Sequence, residues 1–182
     1  MLSALADYGH YIQLFLADNK DWKIGTDHAA IPAVNELTEE NVAEAVKGTA
    51  NYAIKRDIGE AQIEKLTFSL TLDSDTAINL YLKGKSNYKG AITAEVNGDT
   101  SNAAIKRKDG RYRVSISNLP AYQLGETSHV VVNAGKSMDV QVSALSYVHA
   151  ILNSSTYSEN TNARYAMTAL YRYYEAAQAY IH

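Results

Sequence analysis

The spacing of hydrophobic residues changes twice along the chain, from helical to alternating and back again. Leu2, Leu5, Gly9, Ile12 and Leu16 recur at intervals of three and four, which predicts an amphipathic helix over 2–17 with these positions on its buried face. Full burial of the large members would contribute roughly 1.5–3 kcal/mol each. Asp18-Asn19-Lys20-Asp21 is a polar stop, and residues 22–37 read as irregular around Pro32. Thr38 ahead of Glu39-Glu40-Asn41 predicts a second helix, because its hydroxyl can cap an orphan N–H and the acidic side chains suit the first turn. Val42 and Val46 share a face of that helix, and Gly48 ends it. Residues 49–60 follow neither period.

From Ile63 the period is two. Leu66, Phe68, Leu70 and Leu72 alternate with polar residues, turn at Asp73-Ser74-Asp75-Thr76, and resume as Ile78, Leu80 and Leu82, the pattern of a hairpin with one buried face. Ile92, Ala94 and Val96 run to Asn97-Gly98-Asp99, a hairpin-turn signal. Residues 103–107 can pair with Tyr112, Val114 and Ile116 across Lys108-Asp109-Gly110. Val130 and Val132 lead through Asn133-Ala134-Gly135-Lys136 into Met138, Val140 and Val142. About seven strands at this spacing predict an antiparallel β-sandwich, immunoglobulin-like in size.

The helical period returns after Ser143, where Leu145, Val148 and Leu152 predict a short helix closed by Asn153-Ser154-Ser155-Thr156. A last helix begins near Asn160, with the stripe Ala163, Ala166, Met167, Leu170, Tyr174, Ala177 and Ile181. Residues 2–16 lie over 167–181 at an offset of 165, with Ala4, Leu5, Tyr8 and Gln13 matching Ala169, Leu170, Tyr173 and Gln178. Two readings follow. Either amphipathic helices coincide, or residues 2–17 are the closing helix of a preceding repeat unit.

Composition adds little except in its aromatic balance. A chain of 182 residues with 46% hydrophobic and 20% charged content can fold around a proper core. The net charge of −3 gives no reason to expect nucleic acid, and no apolar run is long enough to insert in a membrane. Cysteine is absent, which excludes disulfides, zinc-thiolate sites and cysteine nucleophiles. The start Met1-Leu-Ser-Ala-Leu lacks a basic and apolar leader, so for an exported protein the signal peptide is expected upstream of this segment. Tyrosine outnumbers the other aromatics, 14 against 2 Phe and 1 Trp, and its apolar ring with a polar tip suits half-exposed faces and contact surfaces alike.

Ala4 to Gln13, Leu70 to Tyr81, Tyr112 to Leu124, Ser143 to His149 and the helix 163–181 together span most of the chain in order. In these segments it resembles a module of large extracellular and cell-surface multidomain proteins of gut and rumen Clostridia, which carry it among leucine-rich, immunoglobulin-like or dockerin segments. The resemblance implies export and a place in a longer polypeptide; it supplies no catalytic residue. Tyr8-Gly9 of the first helix corresponds to Tyr173-Tyr174 of the second, a departure between the two copies.

Candidate chemistry is sparse. Gly84-Lys85-Ser86 and Gly135-Lys136-Ser137 are not P-loops, since Asn79 and Val130 stand where the motif needs its first glycine. His10, His28, His129, His149 and His182 have no metal-ligand spacing between them, and the Asp73–Asp75 turn is too short for an EF-hand. No catalytic residue, metal site or cofactor is expected. Lys106-Arg107-Lys108 with Arg111 and Arg113 makes one hairpin basic; such residues contact anionic polymers, or protect an edge strand from aggregation. Trp22, with Tyr8 and Tyr11, is the candidate for stacking on a sugar ring, against the alternative that it packs the first helix.

The sequence thus predicts an α+β module: a helix over 1–20, an irregular segment with one short helix over 21–60, and a β-sandwich with C-terminal helices over 61–182. The expected function is non-catalytic, a structural or interaction module of a secreted or cell-surface bacterial protein, with roles such as adhesion. Its partners would be neighbouring domains of the same polypeptide, a glycan or another surface protein. The alternative is a carbohydrate-binding module of a secreted glycan-degrading or adhesive protein; a third reading, ranked below both, is that the chain is itself a glycoside-active domain.

Overall fold

A computed structural model describes residues 1–18, 31–72, 76–100 and 104–181. Within them the chain is α+β, with two antiparallel four-stranded sheets and four α-helices. The helices are α1 (Leu2–Ala17), α2 (Glu39–Gly48), α3 (Ala144–Leu152) and α4 (Thr161–Ile181). The strands are β1 (Lys55–Asp57), β2 (Ile63–Leu72), β3 (Thr76–Gly84), β4 (Thr93–Val96), β5 (Ile105–Lys106), β6 (Tyr112–Ile116), β7 (Ser128–Ala134) and β8 (Lys136–Val142). They divide between two compact units. One is helical and takes in residues 1–53, 121–123 and 148–182; the other holds both sheets, in residues 54–120 and 124–147. The helical unit draws on both ends of the chain.

In the sheet unit the strand orders are β1-β8-β7-β4 and β2-β3-β6-β5. Alternation reads through faithfully in β7 and β8, where Val130 faces Val140 and Val132 faces Met138 in register, all of them fully buried. Gly135 turns this hairpin at φ +80°, a conformation that costs any residue with a Cβ. Leu80, Leu82, Val114 and Ile78 form the corresponding buried row of the other sheet. Three departures from the sequence reading have local causes. There are eight strands among the described residues, because β1 pairs with β8 at Lys55↔Gln141 although its three side chains are all exposed. Asn97 and Gly98 do form a turn at positive φ, closed by Val96 and Asp99, but β4 then pairs with β7, and β5 joins the other sheet. Asn79 is buried, its amide bonding Thr71 Oγ1 at 2.9 Å and accepting from Ser115 Oγ at 2.7 Å. The turn residues Asp73 to Asp75 lie outside the described residues.

In the helical unit, α4 packs against α1, α2 and the short turn Ala121–Gln123. Its expected stripe is buried from Ala163 to Leu170 and again at Ala177, while Tyr174 is half-buried and Ile181 exposed. Thr38 caps α2 as predicted, with Asn41 reciprocating from its side chain. Gly48 is the last residue of the helix, as expected, but not in the left-handed conformation of a glycine cap. A Cβ there would collide with the Tyr171 ring, so its lack of a side chain admits α4 rather than a left-handed turn. The expected buried face of α1 is a correction. Leu2 is 78% and Leu5 42% exposed, and the buried residues are Asp7 and Tyr11. Among the described residues no helix is long and apolar enough to cross a membrane.

Candidate functional site

Asp7, His10 and Tyr11 follow at helical spacing and so share one side of α1, with Gln13 beside them. That side holds an irregular stretch of the chain, residues 31–37, which bends at Val34 and Asn35. The His10 Nδ1–H donates to the Ile31 carbonyl at 2.8 Å, and the Ile31 N–H donates to Gln13 Oε1 at 3.1 Å. Asp7 Oδ1 accepts from the N–H groups of Val34 (2.6 Å) and Asn35 (2.9 Å), and Asp7 Oδ2 accepts from Asn35 Nδ2 (2.8 Å). The Leu37 N–H donates to the Tyr11 hydroxyl at 2.8 Å. A segment outside helix and sheet has no ladder to satisfy its N–H groups, and here helix side chains replace it. Gly9 lets Ile31 approach, since a Cβ would come within 2.9 Å of the Ile31 side chain.

Beside this clamp lies a cleft of about 230 Å³, bordered by Ser3, Ala4, Asp7 and Asn35 on one side and by Arg172 and Glu175 of α4 on the other. Burial raises the pKa of Asp7, but the Asn35 side chain, the two backbone N–H groups and the charge of Arg172 outweigh it and hold the carboxyl below its ordinary value. A carboxylate held anionic by three donors is a poor general base and has few lone pairs left for a metal. The arrangement organises backbone; it does not assemble a nucleophile with a base.

Of the residues expected to meet a sugar, Tyr8 and Tyr11 are in this unit. Tyr11 is only 5% exposed, with its ring edge-on to Tyr165 at 5.7 Å and to His10 at 4.9 Å. Tyr8 is half-buried and stacks on Tyr173 with centroids 5.8 Å apart and planes 4° from parallel. Burial, and then Tyr173, push the Tyr8 phenol well above its usual pKa. Trp22 lies outside the described residues, as do His28 and His182. His129 pairs with Asp139 at 3.0 Å, and His149 Nδ1 lies 3.2 Å from the Asn153 amide. Among the described residues no three His, Cys, Asp or Glu side chains gather closely enough to hold a metal ion.

No protein-family model, curated protein or solved structure matches the chain.

What the α1 face can do is therefore set by its own geometry. The clamp was missed in the sequence because its α1 side chains sit among apolar residues and most of their partners in 31–37 are backbone groups, which carry no side-chain signature. Gly9, set within the apolar stripe, was the one available sign of a close approach.

Proposed function

We propose that the chain is a non-catalytic structural or interaction module of a larger secreted or cell-surface bacterial protein, in contact with neighbouring domains of the same polypeptide. In this reading the two sheets stack face to face as a sandwich of immunoglobulin-like size. Support comes from the buried rows that each sheet contributes within a single unit, Val130, Val132 and Val140 in one, Leu80, Leu82 and Val114 in the other. The observation that carries the functional reading is the use made of α1. Its Tyr8 stacks on Tyr173 and its Tyr11 meets Tyr165 edge-on, both on α4, and its polar residues clamp residues 31–37, so that both sets serve internal order. Carbohydrate binding by Tyr8, Tyr11 and Trp22 would call for a free aromatic row, and Tyr11 is buried.

The test uses the full chain, a thermal melt and an array of neutral glycans. Tyr11→Phe removes the acceptor of the buried Leu37 N–H and should cost roughly 1–3 kcal/mol of stability. No neutral glycan should be retained by the native protein. A glycan held by the native chain and released by Tyr8→Ala, with melting unchanged, would overturn this reading in favour of the carbohydrate-binding one.

A further inference from the structure

The loop following β3 in the sheet unit is shaped by one tyrosine. The Tyr88 N–H donates to the Lys85 carbonyl at 2.9 Å, closing a turn, and the Tyr88 hydroxyl donates to the Ala91 carbonyl at 2.9 Å. Its ring lies against three glycines: a Cβ on Gly90 would run into it, and one on Gly135 or Gly84 would touch it at 3.5 or 3.9 Å. The fixed ring sets Lys85 and Lys89 on either side of its own place in the chain. With Lys83 of β3 and Lys106 of β5 they line a cleft of about 360 Å³ that also includes Tyr88 and Tyr112.

The charges in this cleft are largely unanswered. Lys83 meets Glu64 at 3.1 Å with both side chains about half exposed, which contributes little. Among the described residues Lys89 donates to the Ser86 carbonyl, at 3.3 Å, and meets no carboxylate. Lys85 and Lys106 have no carboxylate partner among the described residues, and the Lys106 ammonium lies 6.0 Å from the centre of the Tyr112 ring. The one carboxylate in the lining, Asp109, is taken by Arg111 at 2.6 Å and approached by Arg107 at 3.8 Å. A chain of net charge −3 thus gathers four lysines around one concave surface, where cations repel one another and draw in an anion.

We propose that this cleft is a binding site for an acidic polysaccharide. Lysine ammonium groups on flexible stems are point charges that meet carboxylate or sulfate groups at variable spacing, unlike the planar fork of arginine. The half-buried edges of Tyr88 and Tyr112 supply apolar surface with a hydroxyl rim, suited to a sugar ring. They are not the exposed flat platforms on which successive bases of a single strand stack. The Gly84-Lys85-Ser86 run, which is no P-loop, supplies one of the cations. The site is confined to the sheet unit and does not rest on the structural role given to α1, so its failure would leave that role standing.

The full chain is titrated with polygalacturonate and with chondroitin sulfate, and in parallel with neutral dextran and a single-stranded oligodeoxynucleotide. Binding to at least one acidic polysaccharide is expected, weakening as salt is added, with none to dextran. Lys85→Gln combined with Lys106→Gln should weaken it about tenfold, as the loss of two exposed charge contacts implies, with an unchanged melting temperature. Lys136→Gln, a lysine outside the cleft, should leave it intact. Binding to neither acidic polymer overturns the proposal, as does binding indifferent to the double substitution. Lysine-dependent binding of the oligonucleotide tighter than that of either polysaccharide overturns it in favour of nucleic acid.

Discussion

At the offset that lays Ala4 over Ala169, Leu2 of α1 corresponds to Met167 of α4, Leu5 to Leu170, Asp7 to Arg172 and Tyr11 to Ala176. The apolar pairs have opposite fates. Leu2 and Leu5 are 78% and 42% exposed, while Met167 and Leu170 are 1% and 2% exposed. The polar pair is reversed as well, since Asp7 is buried under residues 34 and 35 and Arg172 is exposed. Helical periodicity fixes that a helix forms, but the side it buries is decided by its neighbours. α4 is surrounded by α1, α2 and the Ala121–Gln123 turn, so its apolar stripe is enclosed. On α1, a carboxylate that satisfies three donors offsets its own desolvation, and the polar side turns inward. If the two segments descend from one repeat, they have kept the pattern and exchanged the face.

The largest expected effect tests the apolar half of that comparison. Leu170→Ala should cost about 2–5 kcal/mol in denaturant unfolding, the range for a buried leucine truncated to a methyl group. Leu5→Ala, at the matching position, should stay within about 0.5 kcal/mol. Equal losses would mean that the Leu2–Leu5 side of α1 is covered after all, and the contrast between the helices would dissolve.

The polar half predicts a smaller effect. Asp7→Ala leaves the N–H groups of Val34 and Asn35 without their acceptor and should cost roughly 1–3 kcal/mol. Arg172→Ala, its counterpart, should change stability by about 0.5 kcal/mol or less. Amide exchange at Val34 and Asn35 should quicken in the first variant and not in the second. Exchange that stays slow without the carboxylate would show that residues 31–37 are held by other means.

The same contrast explains what could be read beforehand. Strands β7 and β8, the turn at Gly135, the Thr38 cap and the α4 stripe follow from local rules that act on neighbouring residues, and these were legible. β1 was not, because an edge strand of Lys55, Arg56 and Asp57 has no buried face to mark it. The partner of β4 was not, since Asn97-Gly98 specifies a turn but says nothing of a strand that lies beyond residue 127. The lysine cleft was visible only in part. Lys106 belongs to the basic run seen in the sequence, but Lys83, Lys85 and Lys89 come from the other side of a turn, and Arg107 and Arg111 lean on Tyr81 and Asp109.

The smallest expected effect is in the acid limb of stability, and it isolates the charge on Asp7 from its shape. Asp7→Asn keeps an acceptor oxygen for the backbone N–H groups but removes the negative charge that Arg172 and the donors favour. Because the folded protein holds this carboxyl below its ordinary value near 3.8, the native state binds fewer protons than the unfolded chain in that region, and stability rises with pH there. The contribution is complete above the ordinary carboxyl value and is lost as pH falls through the lowered folded one. The stability difference between native protein and Asp7→Asn should therefore be constant from pH 7 down to about 5 and shrink below about 4. Taking the difference cancels every other carboxylate, Asp109 included, because both proteins carry them. Denaturant melts near pH 7, 5 and 3 measure it. A gap that stays constant into acid would mean that the fold does not favour the charged form of Asp7 over the neutral one, and that the clamp depends on hydrogen-bond geometry and not on charge.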